Sequence, residues 1–239
     1  MTNLLKFQGE RLKSARQYRG MTLTELAAAT DISKQSLSLY ENNKNKPELK
    51  NVLLLSRALD FPIEFFSSES FYQVKTEATY FRSLLSATKK DRTAQSIKLE
   101  YVAQIYETLF ERVVFPKLNL PDISFNGGNE DYAYENDTEV AELEEIAQQV
   151  RDFWGLGLEP IKDLQYVLES NGIIITSFDA NADKIDAFSQ RTIINGEEVF
   201  FIVVSKKGQS IARARFDMAH ELAHILLHPW SEDLESITK

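Results

Sequence analysis

The sequence predicts an α+β chain. An all-helical N-terminal helix-turn-helix domain occupies residues 1–67, a helical linker and loop residues 68–135, and a domain with a small, mainly antiparallel sheet packed on one long helix residues 136–239. Three observations carry this prediction. Short amphipathic segments separated by helix-capping residues fill the first 67 positions. An Asn195-Gly196 pair flanked by β-branched and aromatic runs is the strongest hairpin signal in the chain. A helix-period segment near the C-terminus holds all three histidines, at positions 220, 224 and 228.

Charge follows the same division. Residues 1–60 hold ten Lys or Arg against six Asp or Glu, a balance of +4 within a net charge of -9, which leaves -13 on residues 61–239. Two modules with different partners are implied, and any nucleic-acid contact is confined to the basic one. There is no cysteine, so a metal site must use nitrogen and oxygen ligands. No apolar run approaches a membrane span and no signal-peptide pattern opens the chain. The expectation is a cytoplasmic protein with no membrane partner.

Taken in order, residues 8–19 place Leu12 and Ala15 at helical spacing. Thr22-Leu23-Thr24-Glu25 is a capping box opening a helix through Ala29, because a threonine oxygen and a glutamate three residues on satisfy each other's backbone donors. After a tight turn Ser33 caps a helix through about Asn42, with Leu37 and Tyr40 inward and Lys34, Gln35 and Ser38 outward on its N-terminal half. These residues, with Tyr40-Glu41-Asn42-Asn43-Lys44, Pro47 and the run 54–59, resemble the Cro/phage-repressor (XRE) type of DNA-binding domain over about residues 7–67. The resemblance implies double-stranded DNA as the partner of residues 1–67. Lys34, Gln35 and Ser38 would read base edges, and Thr22, Ser36, Asn42 and Lys44 would touch phosphates. One copy reads one half-site, so specific binding calls for a homodimer. Asn43 stands where that family commonly has glycine, and asparagine also tolerates the left-handed conformation that helix ends need.

Residues 88–114 form a helical pattern with Ala94, Ile97, Tyr101, Ile105, Leu109 and Val113 on one stripe and Val102, Tyr106 and Phe110 on a second, predicting a packed helix with a wide apolar face. Phe115-Pro116, Leu120-Pro121 and Gly127-Gly128 break the pattern into a surface loop, and a domain boundary is expected there. Residues 139–153 return to a helical pattern with an acidic, solvated face. A short helix is expected over 161–170, strands over 172–176 and 185–189, and a hairpin joining 192–194 to 199–204. An exposed strand edge can receive an extended peptide by backbone pairing, which nominates 199–205 or 187–190 as a substrate shelf.

The helix that follows has Ser210 as its cap and Pro229 as its stop, and it contains His220-Glu221-Leu222-Ala223-His224. Residues four apart on a helix lie one above the other, so His220 and His224 can present two imidazole nitrogens to a single Zn²⁺. Glu221 points to the side of that pair, where a general base can take a proton from water. The alternative is a structural helix whose histidines are satisfied core residues.

Together with Pro160-Ile161-Lys162-Asp163-Leu164, Ala187-Phe188-Ser189 and Arg213-Ala214-Arg215-Phe216-Asp217, this helix resembles the ImmA/IrrE family of metallopeptidases over about residues 140–229. The resemblance implies a zincin-like domain with His220 and His224 as zinc ligands and Glu221 as catalytic base. It also implies a regulator that cleaves a repressor or related regulatory protein, of the kind found in bacteria and on prophages or mobile elements. Ala223 replaces a common glycine. The family takes its third ligand from a glutamate on a later helix, and the chain ends at Lys239, so the expectation is a domain truncated at its C-terminus with weak or no activity. His220 and His228 stand roughly 12 Å apart along a straight helix, too far for one tetrahedral ion. Glu232, Asp233 and Glu235 are the remaining substitutes. Beside the peptidase regulator stand two other readings: a transcription factor whose peptidase-like domain senses a ligand or partner, and an antitoxin or immunity module that uses both domains for binding.

Overall fold

The computed structural model describes residues 6–67, 78–80, 88–123, 137–178, 186–206 and 210–227. It divides into two compact units, residues 1–75 with 84–112 and residues 76–83 with 113–239. The expected middle segment, 68–135, is thus shared between the two.

The first unit is helical. It contains α1 (Gly9–Tyr18), α2 (Leu23–Thr30), α3 (Lys34–Glu41), α4 (Leu49–Leu59), a 3₁₀ turn at Ile63–Ser67 and the long α5 (Lys89–Phe110). Local sequence sets the ends of these helices. The Thr22 hydroxyl accepts from the Glu25 N–H while the Glu25 carboxylate accepts from the Thr22 N–H at 2.6 Å, so both halves of the capping box are made. The Ser33 hydroxyl accepts from the Ser36 N–H and opens α3. Leu12, Ala15, Leu26, Leu37, Leu55, Leu59 and Phe66 form the buried core. The start of α1 sits on the end of α3 so closely that a Cβ at Gly9 would lie 2.2 Å from the Tyr40 carbonyl oxygen, which makes glycine obligatory there. Asn43 completes that contact: its φ is 55°, as its sequence position suggested, and its side-chain oxygen accepts from the Gly9 N–H at 2.8 Å.

Helix α5 packs on α1 through an aromatic seam. The Tyr101 hydroxyl lies 2.8 Å from the Ser14 hydroxyl, the Tyr18 and Tyr101 rings meet edge to face, and Lys90 pairs with Glu25. The buried stripe of this helix is Ala94, Gln95, Lys98, Leu99 and Ala103. That corrects the expected apolar face, because Ile105 is 59% exposed and Leu109 and Val113 are also exposed. The aromatic surface of α1 selects the half of α5 that carries two long polar side chains, whose apolar stems can cover rings; Lys98 lies over the Tyr18 ring.

The second unit contains β1 (Ala78–Tyr80), α6 (Asp137–Phe153), α7 (Leu164–Ser170), β2 (Ile173–Phe178), β3 (Ala187–Ile194), β4 (Glu197–Ser205) and α8 (Ile211–Leu227). The strands form one sheet in the order β1-β3-β4-β2. β3 and β4 are the expected hairpin, joined at Asn195 (φ 54°) and Gly196 (φ 80°), the paired positive-φ residues of a tight two-residue turn. The sheet is mainly antiparallel, as expected, with one parallel pairing: β2 runs parallel to β4, with Ile173 opposite Phe200. The helix-to-strand turn passes through Gly172 (φ 84°), where a Cβ would lie 2.6 Å from the backbone of Lys117 and Leu118. Asn119 ties the same place twice, from its N–H to the Asn171 carbonyl and from its amide to the Asn171 side chain.

Helix α8 packs on β3, β4 and α7. Leu168, Ile173, Phe200, Ile202, Met218 and Ile225 bury the interface. Ser210 caps the helix as expected, accepting from the Arg213 N–H at 3.2 Å. Neither proposed shelf is a free edge: 199–205 is paired on both sides, by β2 and β3, and β1 covers β3 at Ser189–Arg191. Among the described residues no helix is long and apolar enough to cross a membrane.

Candidate functional site

Alternation along β3 and helical spacing along α8 bring the chemistry of the second unit to one interface. β3 turns Ser189 toward α8, which turns Glu221 and His224 toward the sheet. Ser189 is fully buried and its hydroxyl donates to Glu221 Oε2 at 2.7 Å, with Glu221 itself only 2% exposed. Burial pushes the Glu221 carboxyl up to about 7; the negative charge of Asp217, one turn earlier, acts in the same direction, and hydrogen bonds from Ser189 act against it. A carboxyl poised near neutrality is what a general base at ordinary pH requires.

The two imidazoles converge as the four-residue spacing predicts. The Nε2 atoms of His220 and His224 are 3.0 Å apart and the rings stand nearly perpendicular. Two nitrogens on one tetrahedral zinc, each at about 2.0–2.1 Å, would be separated by about 3.3 Å, so the observed pair needs only a slight opening to take one ion. His220 is held from outside by the stacked ring of Phe216, over which Arg213 lies. Arg213 also pairs with Asp186 at 2.9 Å and with Asp217 at 3.0 Å, fixing the first turns of α8 to the start of β3. Among the described residues no third His, Cys, Asp or Glu joins the two histidines in a metal-binding group. His228, Glu232, Asp233 and Glu235 lie outside the described residues.

In the first unit the nominated residues lie along α3 and the turns beside it. Lys34 and Gln35 are exposed on its first turn and Ser38 is half-buried on the next. Lys44 is exposed just past its end. Three others have local work: the Thr22 hydroxyl caps α2, the Ser36 hydroxyl accepts from that of Ser33, and the Asn42 amide donates to the Ser38 carbonyl at 2.7 Å. A buried ion pair braces α3 from behind, with the Arg16 guanidinium forked onto both Glu41 oxygens at 2.6 and 2.8 Å and donating to the Met21 carbonyl.

Ser189 and Asp217, the partners of Glu221, are not among the residues that the motif nominates. The signal for Asp217 was its place four residues before Glu221, one helical turn away. For Ser189 the signal was a hydroxyl on a buried strand, where a polar group needs a partner.

Two family models match the chain: "Helix-turn-helix" over residues 12–66 and "IrrE N-terminal-like domain" over residues 168–236. Among curated proteins the HTH-type transcriptional regulator SutR of Escherichia coli is 33% identical over 90 residues, covering 35% of this chain and 51% of that protein. The HTH-type transcriptional regulator PrpR of Mycobacterium tuberculosis is 38% identical over 64 residues, 27% of this chain and 13% of that protein. The chain therefore spans about half the length of the first relative and a small part of the second. Among solved structures, the restriction-modification controller protein C.AhdI from Aeromonas hydrophila matches with 27% identity and a TM-score of 0.24, over 28% of this chain and 98% of that one. The chain joins a helix-turn-helix domain to an IrrE N-terminal-like, peptidase-like domain.

Proposed function

We propose that this protein is a DNA-binding transcriptional regulator whose zincin-like second unit is a zinc-dependent endopeptidase acting on a repressor or related regulatory protein. The observation that carries the enzymatic half is the convergence of His220 and His224 Nε2 at 3.0 Å beside a buried Glu221 held by Ser189. His220 and His224 would hold the ion. When bound, zinc supplies Lewis-acid polarisation of a peptide carbonyl and lowers the pKa of water.

The chain's own residues supply the rest. Glu221 takes a proton from the attacking water and returns it to the leaving amine. Ser189 fixes Oε2, which leaves the other carboxylate oxygen to face the reacting atoms. Sheet and helix exclude solvent around the carboxyl, which keeps its affinity for a proton high enough to make the exchange in both directions.

For the first unit, the exposed Lys34 and Gln35 on a braced helix support base reading by α3, with Ser38 behind them and Lys44 on a phosphate. A dimer on a two-fold site follows from the half-site that one copy covers. A second reading, a non-catalytic sensor or partner-binding domain, is favoured by one observation: among the described residues only two metal-binding side chains converge.

The experiment is zinc analysis of the purified chain together with cleavage of helix-turn-helix repressors encoded beside it. The peptidase reading expects about one zinc per chain where a third ligand from outside the described residues completes the site, and a Glu221→Gln variant slower by roughly 10²–10⁴-fold with unchanged DNA binding. Absence of zinc, or cleavage indifferent to Glu221→Gln, would hand the domain to the sensor reading.

A further inference from the structure

α5 carries its charge unevenly. Its opening residues, Lys89, Lys90, Asp91 and Arg92, hold three cations against one acid, while Glu107 and the C-cap Glu111 follow at the other end. That order runs against the helix dipole, which favours acids at an N-terminus and cations at a C-terminus. Lys89 and Lys90 therefore do nothing for the helix that carries them, and their neighbours point to another role.

The first turn of α5 lies against the start of α2. Lys90 Nζ donates to both oxygens of Glu25, at 2.9 and 3.0 Å, and one of those oxygens also accepts the Thr22 N–H at 2.6 Å. Gly20 is beside it, since a Cβ there would lie 4.0 Å from Lys90 Cε. The lysine is thus one carboxylate away from Thr22, a residue nominated for a phosphate. The hydrogen bond from Lys90 is the largest of the influences that pull the Glu25 carboxyl down to about 2, so the acid is ionised and its charge is matched. Lys89, about 100° round the helix from Lys90, is exposed and has no ion-pair partner among the described residues. Both lysines lie outside residues 12–66, the segment matched by the helix-turn-helix model.

We propose that the first turn of α5 extends the DNA-binding surface of the first unit. Lys89 contacts a backbone phosphate flanking the one at Thr22, and Lys90 cancels the charge of Glu25, which would otherwise repel that phosphate. The inference rests on the DNA-binding reading of the first unit and adds to it a contact beyond the helix-turn-helix. Lysine on phosphate carries no sequence information. The turn therefore adds affinity on any duplex and leaves the reading of bases to α3.

The probe is a fluorescent mixed-sequence duplex of about 30 base pairs, titrated with the full chain at several salt concentrations and followed by anisotropy. One phosphate contact contributes about 0.9 to the slope of log affinity against log salt. Lys89→Ala lowers the slope by that amount, so its loss of affinity grows about eightfold as salt falls tenfold. Lys89→Arg keeps the slope. Lys90→Ala weakens binding by leaving Glu25 unmatched, and adding Glu25→Gln relieves that loss, because glutamine also serves in a capping box. Arg112→Ala is the control for charge alone. It removes the same charge from an exposed position past the other end of α5, about 30 Å away along the axis, and leaves the slope as it was.

An unchanged slope in Lys89→Ala, an equal change in Arg112→Ala, or a Lys90→Ala loss that Glu25→Gln does not relieve overturns the proposal. Lys44→Ala is titrated beside them. A chain that binds the duplex and responds to Lys44→Ala but not to Lys89→Ala sinks this inference alone. A chain that binds no duplex sinks the DNA-binding reading, and this inference with it.

Discussion

The two units put their informative polar groups on opposite sides of the surface. In the first unit the residues nominated for recognition, Lys34, Gln35 and Lys44, are exposed, and the buried charges, Arg16 and Glu41, are matched to each other. In the second unit the chemistry itself is inside: Glu221, Asp217 and Ser189 are buried at the seam between a sheet and a helix. A buried charge thus has two meanings. Where a bidentate partner satisfies it, it is structure; where burial and a like charge have raised its pKa, it is a candidate for proton transfer.

The sharpest way to break this comparison is to remove one buried charge from each unit, because the expected effects have opposite sign. Arg16→Met leaves Glu41 buried without its guanidinium and should destabilise the first unit by about 3–5 kcal/mol, read from denaturant midpoints. Glu221→Gln, in protein freed of metal by chelation, should stabilise the second unit at alkaline pH. The Glu221 carboxyl ordinarily titrates near 4.5 and here near 7. A folded value above the unfolded one means that the group's contribution is full below about 4.5, declines as pH rises, and is lost above about 7. At pH 8 the ionised carboxyl therefore costs the fold up to roughly 3 kcal/mol, and glutamine removes that cost. At pH 4 the two chains should melt alike. A Glu221→Gln chain that is less stable than the parent at pH 8 would show that the carboxylate is satisfied like Glu41, and the contrast between the units would disappear.

What the sequence revealed follows from how local each signal is. The capping box of Thr22 and Glu25, the Asn195-Gly196 turn and the His220/His224 spacing are each complete within a few residues, and each has its expected geometry in the structure. Non-local choices were not legible. Nothing within residues 78–80 says that they pair with a strand more than a hundred positions away, and a run of isoleucines at 173–175 does not say whether its neighbour runs parallel or antiparallel. The periodicity of α5 offered two stripes but not how far along the helix a partner would reach: the rings of Tyr18 and Phe65 engage Tyr101, while Ile105, one turn on in the same stripe, is exposed. Ser189 was visible only as part of an Ala-Phe-Ser string, and its role appears once β3 is laid against α8.

A smaller effect sharpens the surface side of the comparison. If α3 reads DNA with its exposed first turn, Gln35→Ala should cost about 1–3 kcal/mol on one sequence and relax preference at one base position. Lys44→Ala should weaken binding to all sequences alike and reduce the slope of log affinity against log salt by about 1. Fluorescence anisotropy on an operator and on scrambled DNA at several salt concentrations separates the two. Equal losses on both DNAs for Gln35→Ala would move that residue from base reading to backbone contact.

The smallest effect tests whether the first unit's surface is positioned by backbone detail. Asn43 does two things at the end of α3: it adopts φ 55°, and it accepts the Gly9 N–H at a contact too tight for any side chain on residue 9. Asn43→Gly keeps the conformation at no steric cost but removes the acceptor from a buried donor, while Asn43→Ala loses both. The expected destabilisation is about 1 kcal/mol for glycine and roughly twice that for alanine, measured as shifts in denaturant midpoint. Each loss should carry over to DNA affinity only as far as α3 moves, because Lys34 and Gln35 sit at the opposite end of that helix. If glycine equalled asparagine, the hydrogen bond to Gly9 would contribute nothing, and the close packing of α1 on α3 would rest on the absence of a side chain at residue 9 alone.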